Sequence, residues 1–523
     1  MNIRQENMKI KFFAVAAALI AASANAQSIY TIEGLSSEDL NGTARFVGMG
    51  GALSALGADI STMGTNPAGT GLFRHADVAF STGILSLTDG QTFDGHHKAR
   101  VSFDQAGIVY PFHLSDEGSM RYFNIGFNYH KRKNFHSLLA ADQVLGEASQ
   151  TWQMSDLSSF WGGNDKGTPL AVAGYQTYLY EDLGTKDDQG YEQYSVYNGV
   201  SNTYRKSTSG SVQQYDLNMS ANFSDRYFFG LTVGFYNVDV DSYSLYGEAL
   251  ADLNNSSIGN YMFSNDRSLS GTGVDFRLGT IIYPIEGSSF RLGLTVTSPV
   301  WYSLTANCTN IMNSQINGTN YDYRTEVGDH DFNVHTPWKF NIAAGGTIAD
   351  FLALGAEYEY ADYSASKLSY DNGYDDWGWN DEVKDRSMNR EINHFLKGVS
   401  TLRLGAEGKF GYGISLRLGY NYVSSPMKKS AFENQFINSA AVDYATSTAY
   451  VNPGDINRYT VGAGYRGNHF YADFAYQYQQ QNGEFHAFNT QRGDESGATP
   501  NDAPMTKLKL DRNQFLLTLG YKF

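Results

Sequence analysis

From Asp77 to Phe523 the chain repeats one pattern: apolar and polar residues alternate, and every second break between the alternating segments is a tight turn. Leu416, Leu418, Tyr420 and Tyr422 alternate with Ser415, Arg417, Gly419 and Asn421. Phe290, Leu292, Leu294 and Val296 alternate with Arg291, Gly293 and Thr295. A period of two means strands with two chemically different faces. Such segments cover 77–92, 99–112, 120–135, 209–223, 227–246, 269–284, 288–306, 330–348, 351–368, 399–410, 413–425, 456–466, 469–482 and 506–523. Short turns at Ser224–Arg226, Glu286–Gly287, Ala349–Asp350, Gly411–Tyr412 and Gly467–Asn468 alternate with long segments at 136–208, 247–268, 307–329, 369–398, 426–455 and 483–505. Only the outer connection 93–98 is short. One-sided loops of this kind describe a transmembrane barrel, and an even strand number leaves both ends on the short-turn side. The fold expected is all-β: a 14-stranded antiparallel transmembrane β-barrel. Apolar faces meet lipid and polar faces the lumen, because a charge at lipid mid-depth costs about 2–4 kcal/mol.

The composition agrees. Tyr (37), Phe (32) and Gly (54) are abundant, and the mean hydropathy is −0.39. No segment after residue 26 reaches the roughly 18 consecutive apolar residues of a membrane helix. A net charge of −16 argues against nucleic acid as a partner. A lone cysteine, Cys308, excludes an intramolecular disulfide. Lys9 and Lys11, the apolar run Phe12–Ala22 and Ala24-Asn25-Ala26 read as a secretory signal over 1–26.

Ahead of the first strand lies Gly42–Phe73, rich in glycine and poor in large apolar groups. It has too little to bury to fold alone, so 27–76 is expected to be a plug inside a barrel of 77–523. Its order is Gly42, Ala44, Arg45, Gly48, Gly50 and Gly51, then Ala58-Asp59, then Asn66-Pro67-Ala68-Gly69. This resembles the N-terminal hatch of the FadL/TodX family, outer-membrane transporters of long-chain fatty acids and aromatic hydrocarbons. A second similarity covers Thr336, Pro337, Gly345, Glu357, Asp362 and Tyr363. The last strand, with Phe515, Leu517, Leu519, Tyr521 and Phe523, resembles the terminal signal read by the barrel assembly machinery.

The resemblance implies passive uptake of a hydrophobic small molecule across a Gram-negative outer membrane, with membrane lipid and the assembly machinery as further partners. It makes Arg45, Asn66, Pro67, Ala68 and Gly69 the hatch and gating candidates. It also implies a lateral exit at a kinked third strand, where Gly126 would weaken the ladder. Loop aromatics Trp152, Trp161, Trp377 and Trp379 are candidate first contacts, since apolar ligands bind apolar, aromatic-lined surfaces. Two other readings remain: a structural or adhesive surface barrel, and a non-selective porin. No cofactor or metal is expected. Adjacent His96 and His97 point to different sides, and the carboxylates of 375–385 lack calcium-loop spacing. An enzyme is not expected either: there is no G-x-S-x-G, and no histidine sits in a motif with an acid–base role.

Overall fold

The computed structural model describes residues 28–163, 167–188, 190–252, 254–349, 351–374, 380–443, 446–489 and 501–523. The expected leader lies outside them. Fourteen strands form the wall: β1 (Asp77–Leu87), β2 (Ala99–His113), β3 (Met120–Asn134), β4 (Asn198–Phe223), β5 (Tyr227–Ala251), β6 (Ser257–Ile282), β7 (Arg291–Thr297), β8 (Lys339–Ile348), β9 (Leu352–Asp362), β10 (Gly398–Lys409), β11 (Ile414–Val423), β12 (Tyr450–Arg466), β13 (Phe470–His486) and β14 (Arg512–Lys522). Each pairs antiparallel with its neighbours. β14 then pairs with β1 from Asp77↔Lys522 to Leu87↔Arg512, which closes the ring. Closure is what a membrane demands, since lipid cannot satisfy an open edge.

The alternation sets which face points where. On β11, Leu418 is 64% exposed on the outside while Arg417 is 2% exposed inside. Charge inside and apolar surface outside is the inverse of a soluble domain.

Several expected boundaries are corrected. β4, β5 and β6 run 26, 25 and 26 residues, so much of what reads as loop at 198–208 and 247–268 is strand. The expected strands over 288–306 and 330–348 each break in two, around Pro299 and Pro337. Proline lacks the N–H a ladder needs. The chain switches partner there: Val300 N–H donates to Thr336 Oγ1 at 2.8 Å. Beyond the break, Trp301–Ile316 and Thr319–His335 form a hairpin standing on β6.

The segment 136–208 is not a plain loop. It holds a strand at Ser137–Glu147, helices at Gln150–Trp161 and Pro169–Gln176, and a small hairpin, Tyr180–Lys186 with Glu192–Val196. Met154, Leu170, Tyr180, Tyr246, Phe263 and Phe485 pack these into a cap.

The N-terminal part lies inside the wall: a helix at Ile29–Ser36, a short one at Ala44–Gly48, and 3-10 turns at Ile60–Gly64 and Pro67–Leu72. The Ala44–Gly48 turn contacts β11 to β14, while Pro67–Leu72 contacts β3 to β6 across the lumen.

Candidate functional site: the hatch and the cavity above it

The hatch is seated by close backbone approach. Gly345, Gly355, Gly405 and Gly419 lie in one row across β8 to β11. A Cβ on Gly355 would sit 2.2 Å from the Ala52 carbonyl, and one on Gly405 2.4 Å from that of Met49. Any side chain there would push the hatch off the wall.

Polar contacts complete the seat. Asn66, fully buried, donates from Nδ2 to the carbonyls of Ser54 (2.8 Å) and, on β6, Thr280 (3.2 Å), and its Oδ1 accepts from Ala68 N–H (3.1 Å). Pro67 opens the 3-10 turn, where its missing N–H costs nothing. Its carbonyl accepts from Asn218 of β4. Ala68 packs on Phe228 and Ile281, and Gly69 leaves room for Thr62. Arg45 pairs with Glu407 of β10 at 3.0 Å, and Glu407 also pairs with Arg417 at 2.6 Å. Glu357 and Tyr363, from the second stretch of family similarity, both hold the hatch. Glu357 accepts from Ser54 N–H and Oγ, and the Tyr363 hydroxyl donates to the Ser36 carbonyl.

Gly126 does not weaken β3. It is paired with Val109 of β2 and Asn218 of β4. Its missing side chain makes room for Met63 of the hatch. The β3–β4 register shifts once near the start of β3, between Met120 and Tyr122, and the irregularity beside the cavity lies higher. The β2–β3 ladder ends at Gln105↔His130, and above it the upper part of β2 pairs with β1 alone. The β3–β4 register shifts between Lys131 and Lys133, leaving Arg132 as the extra residue. A bulge re-aims its side chain, and Arg132 is turned onto Glu38 of the hatch at 2.7 Å.

The hatch takes the place of the missing strand there. The Lys131 carbonyl accepts from Asn41 Nδ2 (3.0 Å), and the Arg132 carbonyl from Asp39 N–H (2.9 Å). Asn134 N–H donates to Asp39 Oδ2 (2.8 Å). Lys339 also pairs with Glu38, and Arg512 with Asp39 at 2.9 Å. Burial alone would raise both carboxyl pKa values. Arg132 and Lys339 outweigh it and hold Glu38 well below the usual carboxylate range. Arg512, Lys133 and Arg458 hold Asp39 at about 2.

Beside the strand break is a cavity of about 440 Å³, within the usual range of small-molecule sites. Phe135, Leu138, Leu269, Val451 and Phe485 give it an apolar lining. His136, 1% exposed, also lines it. Lys206, Arg267 and Glu433 add charge, as do Glu33, Asp89, Lys133, Lys509, Asp511 and Arg512 around its edge. None of these was singled out from the sequence; a basic residue on an inward strand position was the available signal. Trp152 and Trp161 do not line it. Trp152 sits in the cap, its Nε1 donating to the Tyr197 carbonyl at 3.0 Å, and Trp161 packs edge-on against Phe160. Trp377 and Trp379 lie outside the described residues. At the other end, Phe523 N–H donates to the Ala76 carbonyl at 3.0 Å, and its ring meets Tyr521 at 4.8 Å.

Fold and site together define a membrane β-barrel closed by an internal hatch, with an apolar cavity above it. Among solved structures the chain resembles a Pseudomonas aeruginosa FadL homologue, with TM-score 0.51 and 13% identity over 93% of this chain and 99% of that one. It also aligns with two toluene transporters at TM-score 0.48: TbuX of Ralstonia pickettii (14% identity, 92% of this chain, 99% of that one) and TodX of P. putida (13%, 93% and 99%). The fold is thus of the FadL type. No protein-family model and no curated protein matches the sequence.

Proposed function

We propose that the chain is an outer-membrane transporter for passive uptake of hydrophobic small molecules, long-chain fatty acids or aromatic compounds among them. The observation that carries this reading is the apolar cavity directly above a lumen filled by a hatch. A porin has no use for a seated hatch, and an adhesive barrel none for an apolar cavity. The fold shared with a FadL homologue supports the same reading.

On this reading ligand passes the cap, rests in the cavity, and leaves sideways where β2 and β3 part, once the hatch segment Glu38–Asn41 withdraws from β3. Arg45 and Asn66–Gly69 keep the rest of the hatch seated meanwhile. The test is the purified protein itself: mass spectrometry and a density map of the cavity. The reading expects a co-purified lipid or detergent tail along Phe135 and Leu138. A cavity holding only water after exposure to fatty acid and to toluene would count against it.

A further inference from the structure

The helical cap stands on two feet, the strand Ser137–Glu147 and the upper end of β4, and both are irregular at the same level. The register between the two feet shifts between Val144 and Glu147. That between β4 and β5 shifts between Gly199 and Ser201. Gly146 and Glu147 both have positive φ, 59° and 88°, a conformation that residues with a side chain seldom hold. A bulge interrupts the ladder and lets the chain beyond it turn. Hinges are a few element-terminal residues that absorb such changes, and here one lies at each foot of the same body.

What holds the cap down is largely polar. Its first helix, Gln150–Trp161, buries Gln150, Thr151, Gln153, Ser155, Ser158 and Ser159. On one side Glu248 of β5, 2% exposed, accepts from Ser149 Oγ and Gln150 N–H of the cap and from the hydroxyls of Tyr246 and Tyr261 of the wall. On the other side Ser149 N–H donates to Asn501 Oδ1 (2.8 Å), and its carbonyl accepts from Asn501 Nδ2 (2.7 Å). Gln150 Nε2 donates to Thr448 Oγ1 at 2.9 Å, and Gln153 Nε2 to the Asn489 carbonyl.

Water can replace each of these partners at small net cost. Glu248 would still keep Tyr246 and Tyr261, so lifting the cap orphans no buried carboxylate. The closed position is nonetheless a close seat: a Cβ on Gly199 would stand 2.2 Å from the Ala148 carbonyl and 2.7 Å from Glu248 Oε1. Tyr204 and Phe485 line the cavity and pack in the same cluster as Met154 and Leu170 of the cap. The cap therefore lies on the roof of the cavity.

We propose that the cap is a hinged lid: it turns on the paired bulges at Leu145–Glu147 and Gly199–Ser201, and Ser149 and Gln150 leave Glu248 when cargo enters from outside. The proposal rests on the transport reading above and adds the outer gate to it. Opening exposes the underside of the helix and leaves the wall strands paired.

The experiment uses the full-length protein on cells and a membrane-impermeant maleimide. Gln153→Cys, at a position 1% exposed when the lid is shut, should react, about tenfold or more slower than Tyr191→Cys on the open surface. Adding Glu248→Ala, which removes the acceptor for Ser149 and Gln150, should speed it by about tenfold or more. Adding Gly199→Ala should speed it too, by propping the foot. The native Cys308, 2% exposed in the wall, should stay unlabelled throughout. Linking Gln153→Cys to Asn489→Cys with a short bifunctional maleimide should then cut uptake of a labelled long-chain fatty acid about tenfold or more against the same cells left unlinked. That last comparison uses one folded protein and stands even if Glu248→Ala or Gly199→Ala does not assemble. A Gln153→Cys thiol that never reacts, a rate unmoved by both added substitutions in assembled barrels, or uptake unchanged by the link overturns the lid and leaves transport standing. Absence of fatty-acid uptake in the unlinked cells overturns the transport reading, while the labelling rates still decide whether the cap opens.

Discussion

Asp39→Asn should loosen the part of the hatch that stands in for a wall strand, and the size of the effect follows from the contacts. The carboxylate accepts from Arg512 at 2.9 Å and from Asn134 N–H at 2.8 Å. Despite burial, Arg512, Lys133 and Arg458 hold it at about 2, against 3.8 for a free aspartate. That difference is worth about 2 kcal/mol at 1.36 kcal/mol per unit. Because the folded-state value is the lower one, the stabilisation is complete above about pH 4 and is lost as pH falls through about 2. Hydrogen exchange of the hatch peptide around Ser36–Asn41, corrected for the intrinsic pH dependence of exchange, reads this directly. Two kcal/mol corresponds to roughly a 30-fold loss of protection at pH 7 in the variant. The unaltered protein should lose similar protection between about pH 4 and 2, where the variant changes little. Wall amides of β10 and β11 should be unaffected. Equal protection at pH 7, or loss in the unaltered protein already at pH 5 to 6, would refute the reasoning.

Asn66→Ala removes three buried hydrogen bonds and should weaken the hatch seat by about 2–4 kcal/mol; single-channel recordings should show new small-solute leakage, and unchanged conductance would deny Asn66 a gating role. Gly355→Val should leave a heat-modifiable barrel but displace the hatch at Ala52, since even a Cβ would stand 2.2 Å from its carbonyl; hatch exchange rates equal to those of the unaltered protein would contradict this. Deleting Phe523 should lower the amount of assembled barrel in the membrane without changing uptake per assembled molecule, and normal barrel levels would rule out a terminal assembly signal.

What the sequence made legible followed the membrane. Leu402, Leu404, Leu416 and Leu418 mark β10 and β11 because lipid demands an apolar outer face. Beyond the lipid the demand lapses. At 198–208 and 257–268 both faces are largely polar, so strand there reads as loop. Pro299 and Pro337 were visible, but not that the chain changes partner between them. The hatch was recognisable as a plug from its small residues; that Asn66 reaches the Thr280 carbonyl of the wall is visible only in the folded chain. The strand-3 irregularity was expected at Gly126 and lies at Arg132. A bulge is set by which carbonyls find partners, here Asn41 and Asp39, and such distant pairing leaves no local mark. Lys206, Arg267 and Glu433 escaped notice for the same reason: two inward strand positions and a loop residue meet only in the closed barrel. The tryptophans were chosen by residue type. Trp152 and Trp161 instead pack within or against the outer structure, where a hydrogen bond and a ring contact fix them.

The most direct measurement of the central claim is uptake of a labelled long-chain fatty acid against a sugar of similar mass, in cells with and without the protein, each with and without a proton uncoupler and with intracellular trapping controlled. The account predicts that the protein stimulates entry of the fatty acid, leaves the sugar unchanged, and does so without an energy source. Equal stimulation of both solutes would make the chain a porin, no stimulation of any apolar solute would leave only a structural or adhesive barrel, and transport that collapses with the uncoupler would contradict the passive mechanism.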